Sequence, residues 1–340
     1  MIRSFHNEDC TTGARRHIKD GSVDLIVTDP PYGLCEGTKA MAYHRDESHV
    51  LDGYVEIPFV EYAEFTSRWM HEAIRVLRPG GSMYVVAGIQ SALPVWNAIE
   101  GSDDLTLRNH IVWHYNALVP CQTRFTLSHR NIFHCVKHGG EITFNRFCRF
   151  GMWERDSWGR SLRQRDLCDV WVVDRERLPA NHVKNRNQLP MALLIKMIQY
   201  SSNPGDLVCD FFLGGFTTAR AAIGLNRGIV GFEKNKIAHD YFAPGMLALK
   251  PGYLIPALRK PDTSAKRPND RLNDYTARGL IRREVSYNAY RPAGKGPKRL
   301  VVLNAVLRGE IQPPQNPAGP PREEWIDAPA GSPPGCSPQG

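Results

Sequence analysis

Short apolar runs that close on an acid mark the two informative ends of this chain. Val23-Asp24-Leu25-Ile26-Val27 has the length and content of a buried strand and runs into Asp29-Pro30-Pro31-Tyr32-Gly33. Asp206-Leu207-Val208-Cys209-Asp210 reads as a second buried strand. It leads through Phe211-Phe212-Leu213-Gly214-Gly215-Phe216-Thr217-Thr218 into a helical stretch from Ala219 to Leu225. Gly228-Ile229-Val230-Gly231-Phe232-Glu233 follows as a further strand ending in an acid. Strand, glycine turn, helix, strand and acid together form one half of a doubly wound α/β fold. Between these ends, Ile111–His114 and Arg130–Lys137 read as later strands of the same sheet. Residues 34–64 read as a loop and helix, rich in acids and mostly facing water, that could also cover a site as a lid.

Composition narrows the class. With 340 residues and 42% hydrophobic content, the chain can bury one large core plus an appendage. Eight cysteines are scattered without Cys-x-x-Cys or other metal-ligand spacing, so they read as core filler in a reducing cytoplasm, and no metal is expected. No apolar stretch approaches a membrane span, and the start lacks a signal-peptide pattern. The net charge is +8, yet residues 250–311 alone carry +9, so the body is near neutral and the basic charge sits in an extension. That extension suits phosphate binding by counterion release, or is a solvated linker. It holds one apolar segment, Arg299–Leu307. Residues 312–340 are Pro/Gly-rich and too poor in apolar residues to offset the entropy of ordering.

The chemistry lies at the strand ends. A rigid loop carrying the Asp29 carboxylate, the Pro30 carbonyl and the Tyr32 ring suits a planar substrate with an exocyclic amine, such as a nucleobase. Gly214 and Gly215 allow close backbone approach to a ligand, and Glu233 stands at the distance where an acid meets ribose hydroxyls.

Together these motifs resemble the S-adenosylmethionine-dependent amino-methyltransferases of DNA. Asp29-Pro30-Pro31-Tyr32 is similar to their catalytic motif, and Asp210-Phe211-Phe212-Leu213-Gly214 with Thr217-Thr218 to their cofactor motif. Ile74–Gly81, Asn187-Gln188-Leu189-Pro190 and Ser201–Asp206 fall in matching order, so the resemblance covers residues 1 to about 245. The catalytic motif comes first, as in the circularly permuted β group. Two departures stand out: Leu189 where many relatives have Lys, and Gly214-Gly215-Phe216 where many have Gly-Ser-Gly.

The resemblance implies a Rossmann-like class I methyltransferase fold: a seven-stranded, mostly parallel sheet with one antiparallel strand and helices on both faces. It implies a catalytic domain over 1–249 with a target-recognition insert at 139–182. Asp29, Pro30, Pro31 and Tyr32 would be catalytic. Asp210, Phe212, Gly214, Thr217 and Thr218 would surround the methionine end of S-adenosylmethionine, with Glu233 on the ribose. Asp9 and Cys10 would lie at the adenine, and Asn187 and Gln188 at the carboxylate. For Asp9, a plain helix cap is the competing reading.

Residues 144–168 interleave Arg146, Arg149, Arg155, Arg160, Arg163 and Arg165 with five aromatic rings. Arginines suit guanine edges and phosphates, and rings suit stacking beside an extruded base, so this stretch is the expected contact with double-stranded DNA. The competing reading is an aromatic mini-core with arginines paired to Glu154, Asp156 and Asp166. The expected activity is site-specific methylation of adenine N6 in a flipped base. Cytosine-N4 methylation and a catalytically silent S-adenosylmethionine- or DNA-binding protein remain as alternatives. A homodimer and a cognate restriction endonuclease are compatible with the resemblance.

Overall fold

Eight strands form a single sheet in the order β1-β8-β7-β2-β3-β5-β4-β6. They are β1 (Arg3–His6), β2 (Val23–Thr28), β3 (Leu77–Ala87), β4 (Leu105–His114), β5 (His129–Lys137), β6 (Val170–Val172), β7 (Leu207–Asp210) and β8 (Gly228–Phe232). The computed structural model describes residues 1–31, 57–116, 125–175 and 188–265. Every neighbouring pair is parallel except the two made by β5, which runs against both β3 and β4. The expected single antiparallel strand is therefore β5.

The count is eight rather than seven. The extra strand, β6, is three residues at the sheet edge with only Trp171 turned inward. A run that short carries no readable alternation.

The helices are α1 (Cys10–His17), α2 (Tyr62–Val76), α3 (Ala92–Glu100), α4 (Leu162–Asp166), α5 (Met191–Ser201), α6 (Thr217–Gly224) and α7 (Lys236–Ala248). Two cores lie on opposite faces of the sheet. Leu25, Val27, Tyr84 and Val86 meet Leu193, Met197, Ala222 and Ile223 of α5 and α6. Val23, Ile26, Met83 and Val85 meet Trp69, Met70, Ala73 and Val76 of α2. The register shift against β3 between Val23 and Leu25 accounts for Val23 sharing a face with Ile26. Strands buried on both faces read as continuous apolar runs, which is the pattern of β2 and β7. Cys10, Cys135 and Cys209 are buried as core residues, while Cys168 is exposed. No helix among the described residues is long and apolar enough to cross a membrane.

Segment 139–168 leaves the sheet where β5 ends, beside the start of β3, where Lys137 Nζ donates to the Ile74 and Leu77 carbonyls. It is fastened to the lower half of α5. Asn145 bonds the Gln199, Tyr200 and Ser202 carbonyls. Asp166 accepts from Arg149 Nε (2.9 Å) and the Tyr200 hydroxyl (2.6 Å), and lies 3.3 Å from Lys196 Nζ. Burial lowers the Lys196 pKa, and Asp166 partly restores it. Residues 250–262 belong to the same flank. Gly252 and Leu254 N–H groups bond the Ile223 and Gly224 carbonyls at the end of α6. Arg259 pairs with the buried Glu154 and covers the Phe150 ring. The start of the basic extension is thus packed on the body; the rest of it lies outside the described residues.

Removing the Asp166 carboxylate takes the counter-charge from a buried ammonium, which keeps only the residue-166 carbonyl and the Trp171 ring, and loosens the insert on α5. Asp166→Ala should cost about 3 kcal/mol, in the range for breaking a buried pair. It should also open residues 144–168 to limited proteolysis. An unchanged cleavage pattern would contradict the role of Asp166 in fastening the insert to α5.

Candidate active site

The parallel strands point their carboxyl ends to one edge, and the candidate residues gather there because of it. Asp29 and Pro30 follow β2 directly, Asp210 closes β7, and Glu233 stands one residue past β8. Since β2 and β7 are neighbours, their ends can touch. Thr28 Oγ1 donates to Asp210 Oδ1 at 2.9 Å in a buried bond. Asp29 is half-buried, Pro30 is buried, and Tyr32 lies outside the described residues.

Asp210 is almost wholly enclosed. Its Oδ1 also accepts the Phe212 N–H at 3.0 Å, and the Thr218 hydroxyl bonds its side chain. Burial dominates over these bonds and pushes its pKa up to about 6. Glu233 is held by two backbone donors: Gly214 N–H to Oε2 and Asn235 N–H to Oε1, both at 2.7 Å. Its pKa is raised too, first by burial, with Asp210 a lesser contributor. Two carboxylates with raised pKa values on one edge are poised to receive hydroxyl or ammonium donors.

The turn between Asp210 and α6 is bent by two left-handed residues, Gly214 (φ 49°) and Phe216 (φ 58°). Glycine enters that region freely; phenylalanine does so at a cost of about 1–2 kcal/mol. The Phe216 ring is fully buried, edge-on to Phe5 at 5.3 Å and stacked on Phe242 at 5.9 Å. Ring burial, roughly 2–3 kcal/mol, outweighs the strain and pins the turn. This is how the chain holds the turn with a phenylalanine at the left-handed position. Thr217 and Thr218 then open α6 as buried residues. Phe212 is half-exposed at the edge, with its ring against Phe65 and Trp69 of α2.

Asp9 caps α1: its Oδ1 accepts the Thr11 N–H at 3.0 Å. Cys10 is buried in the α2-side core. Gln188 is half-buried at the approach to α5, and Asn187 lies outside the described residues. Two contributors went unread in the sequence. Thr28 was hidden because the apolar run ends at Val27. Asn7, whose Nδ2 donates to the Glu233 carbonyl at 2.8 Å, stands in a polar stretch without pattern.

The six arginines do not gather at this edge. Arg149 pairs with Asp166, and Arg160 and Arg165 both pair with Asp156. Arg163 covers the Phe147 ring at 4.9 Å, and Arg155 donates weakly to the Glu154 carbonyl. Arg146 is exposed. Their segment is anchored on the α5 flank, where Glu154 pairs with Arg259 rather than with a neighbour in sequence.

One group among the described residues could gather a cation: His6, Glu8 and His17. The two imidazoles are stacked at 3.8 Å with planes 14° apart. An ion bound by a ring nitrogen lies near that ring's plane, and nearly parallel planes do not meet within bonding distance.

The edge fits the donors and acceptors of S-adenosylmethionine. Glu233 keeps lone pairs for a ribose diol. The buried Asp210 lacks a positive partner such as an α-ammonium among the described residues. The first turn of α6 has backbone N–H groups for a carboxylate.

Fold and edge together define a Rossmann-like class I methyltransferase. The chain belongs to the DNA methylase family, whose family model matches residues 23–243. It is 29% identical over 227 residues to type II methyltransferase M.HpaI of Haemophilus parainfluenzae, covering 66% of this chain and 68% of that one. Against M.HinfI of Haemophilus influenzae the identity is 31% over 241 residues, 69% of this chain and 66% of the relative. DNA adenine methyltransferase YhdJ of Escherichia coli K12 is 29% identical over 245 residues, 67% and 76% of the two chains. The crystal structure of the M1.HpyAVI–SAM complex superposes with a TM-score of 0.51 at 21% identity, covering 73% of this chain and all of that one.

Two outcomes follow from this geometry. Because the Asp210 pKa is raised on folding, its contribution favours the folded state most at low pH and is lost as pH rises through about 6. Asp210→Asn keeps an acceptor for Phe212 and Thr28 but removes the buried charge. Its melting temperature at pH 8 should rise above wild type and the pH dependence near 6 should flatten, while cofactor affinity falls. A lower melting temperature at pH 8 would show that the ionised form stabilises the apo protein.

At residue 216, both Gly and Ala lose the ring. Only Gly relieves the left-handed strain, so Phe216→Gly should be more stable than Phe216→Ala by about 1 kcal/mol in denaturant titrations. The reverse order would contradict the strained turn.

Proposed function

We propose that this protein transfers the methyl group of S-adenosylmethionine to the exocyclic N6 amine of adenine in double-stranded DNA. The observation that carries the reading is the Thr28–Asp210 bond. It draws the end of the catalytic strand and the end of the cofactor strand together. Family membership and the YhdJ relative support the reaction class and the adenine target.

The cofactor, when bound, supplies a methyl group already activated by a sulfonium. Asp210, Phe212, Gly214, Thr217 and Thr218 would hold its methionine end, with Gln188 and Asn187 near the carboxylate. Glu233 would hold the ribose, and Asp9 and Cys10 would flank the adenine.

The chain's own task is to make a weak nucleophile attack. The amine lone pair of adenine is delocalised into the ring. The Asp29 carboxylate and the Pro30 carbonyl accept its two N–H bonds, which concentrates electron density on nitrogen and favours tetrahedral geometry. Fixed acceptors aimed at developing positive charge need no reorganisation as that charge appears. Pro30 and Pro31 keep them rigid. Tyr32 stacks on the extruded base. Asp29 need not be a strong base, because the amine becomes acidic only as it turns cationic.

Arg146, Arg149, Arg155, Arg160, Arg163 and Arg165 would meet DNA from the anchored flank. Arg146 and Arg155, which make no ion pair among the described residues, are the freest to do so. The reading extends to a cytoplasmic enzyme with a cognate restriction endonuclease, in keeping with the type II relatives. A homodimer rests on the sequence resemblance alone.

The test is nucleoside mass spectrometry of DNA from a methylation-deficient host expressing the protein. N6-methyladenine with wild type and none with Asp29→Ala is the expected result. N4-methylcytosine would keep the mechanism and overturn the base. Neither mark from folded protein would favour a silent binder.

A further inference from the structure

The edge that carries Asp29 extends beyond the cofactor side. Across β3 and β5 lie the tops of β4 and β6, where a second group of side chains gathers. Tyr115 follows β4 and is buried at 3% exposure. Two guanidinium groups lie over its ring, Arg175 at 4.1 Å and Arg130 at 5.9 Å. Its position is fixed by its N–H to the Ser128 carbonyl at 2.9 Å. His114 and His129 stand exposed beside it. Arg130 is buried, whereas Arg175 is exposed and makes no ion pair among the described residues. Arg149, Arg160 and Arg165 on the α5 flank, by contrast, are already paired with acids.

We infer that Arg175, whose guanidinium lies over the Tyr115 ring that Arg130 also approaches, is a DNA-contacting residue that grips the duplex beside the extruded base. The inference rests on the DNA methyltransferase reading. A guanidinium stacked on an aromatic ring loses little further freedom on binding and keeps its edge N–H donors free. Those donors suit a phosphate, or the O6 and N7 of guanine. The chain places this group on the correct edge. Strands are spaced by about 4.8 Å, and the order β2-β3-β5-β4-β6 sets β4 and β6 three and four spacings from β2. That is roughly 14–19 Å from Asp29, or about four to six base pairs of duplex at 3.4 Å each. Arg175 lies within the expected insert at 139–182, but its meeting with Tyr115 and Arg130 depends on the fold and leaves no local pattern in the sequence.

The experiment compares wild type with Arg175→Ala, Arg175→Lys and the charge-matched surface control Lys19→Ala. Binding to duplex DNA is titrated at several salt concentrations, and KM for DNA, kcat and cofactor affinity are measured in parallel. Arg175→Ala should weaken DNA binding about tenfold and reduce the salt slope by about one. Its kcat at saturating DNA and its cofactor affinity should stay within about twofold of wild type. Arg175→Lys should recover only part of the loss, since an ammonium lacks the planar fork. On duplexes shortened to three base pairs either side of the target, wild type and Arg175→Ala should converge. If wild type methylates DNA and Arg175→Ala binds it as tightly with the same slope, this inference falls and the methyltransferase reading stands. If wild type neither binds nor methylates DNA, both fall.

Discussion

The buried hydrogen bond from Thr28 to Asp210 is the contact on which the site depends. It exists because β2 and β7, far apart in sequence, are adjacent parallel strands. Parallel strands end together, so two loops of different chemistry must emerge side by side. One carries Asp29, Pro30 and Pro31, the start of the proposed catalytic motif. The other carries the turn that leads into α6. Their separation is set by strand spacing and not by loop flexibility, as expected when a reactive group must be held to a fraction of an ångström.

The edge is costly to fold and the rest of the molecule offsets that cost. Asp210 and Glu233 are carboxylates kept from water, with raised pKa values. Phe216 is held left-handed by rings from β1 and α7. Strain and uncompensated charge at a site, inside a scaffold with two full cores, is the usual signature of preorganisation. The same logic separates the two arginine groups. Arg149, Arg160 and Arg165 on the α5 flank are engaged by Asp156 and Asp166, while the exposed Arg175 lies over the Tyr115 ring.

Much of this was legible in the sequence, and for physical reasons. Strands buried on both faces leave unbroken apolar runs, so β2, β7 and β8 could be read with their terminal acids. The glycine turn and the helix after it follow from local chemistry. What could not be read depends on distant pairing. β6 is too short for periodicity. The burial of Glu154 comes from Arg259, over a hundred residues away. For the arginine-rich segment, composition shows the charge but not the acidic partners that hold Arg149, Arg160 and Arg165. Asp9 is the intermediate case, since an acid before a short helix is a natural cap whatever else it does.

The most direct test of the central claim is ultraviolet crosslinking of S-adenosylmethionine labelled on its methyl group, followed by peptide mapping. The account predicts that label is attached within the peptides carrying Asp29–Pro31 or Asp210–Thr218, and is abolished by excess unlabelled cofactor. Competable label confined to the insert at 139–168 would place the cofactor on the α5 flank and contradict the convergence of the two strand ends as the active site.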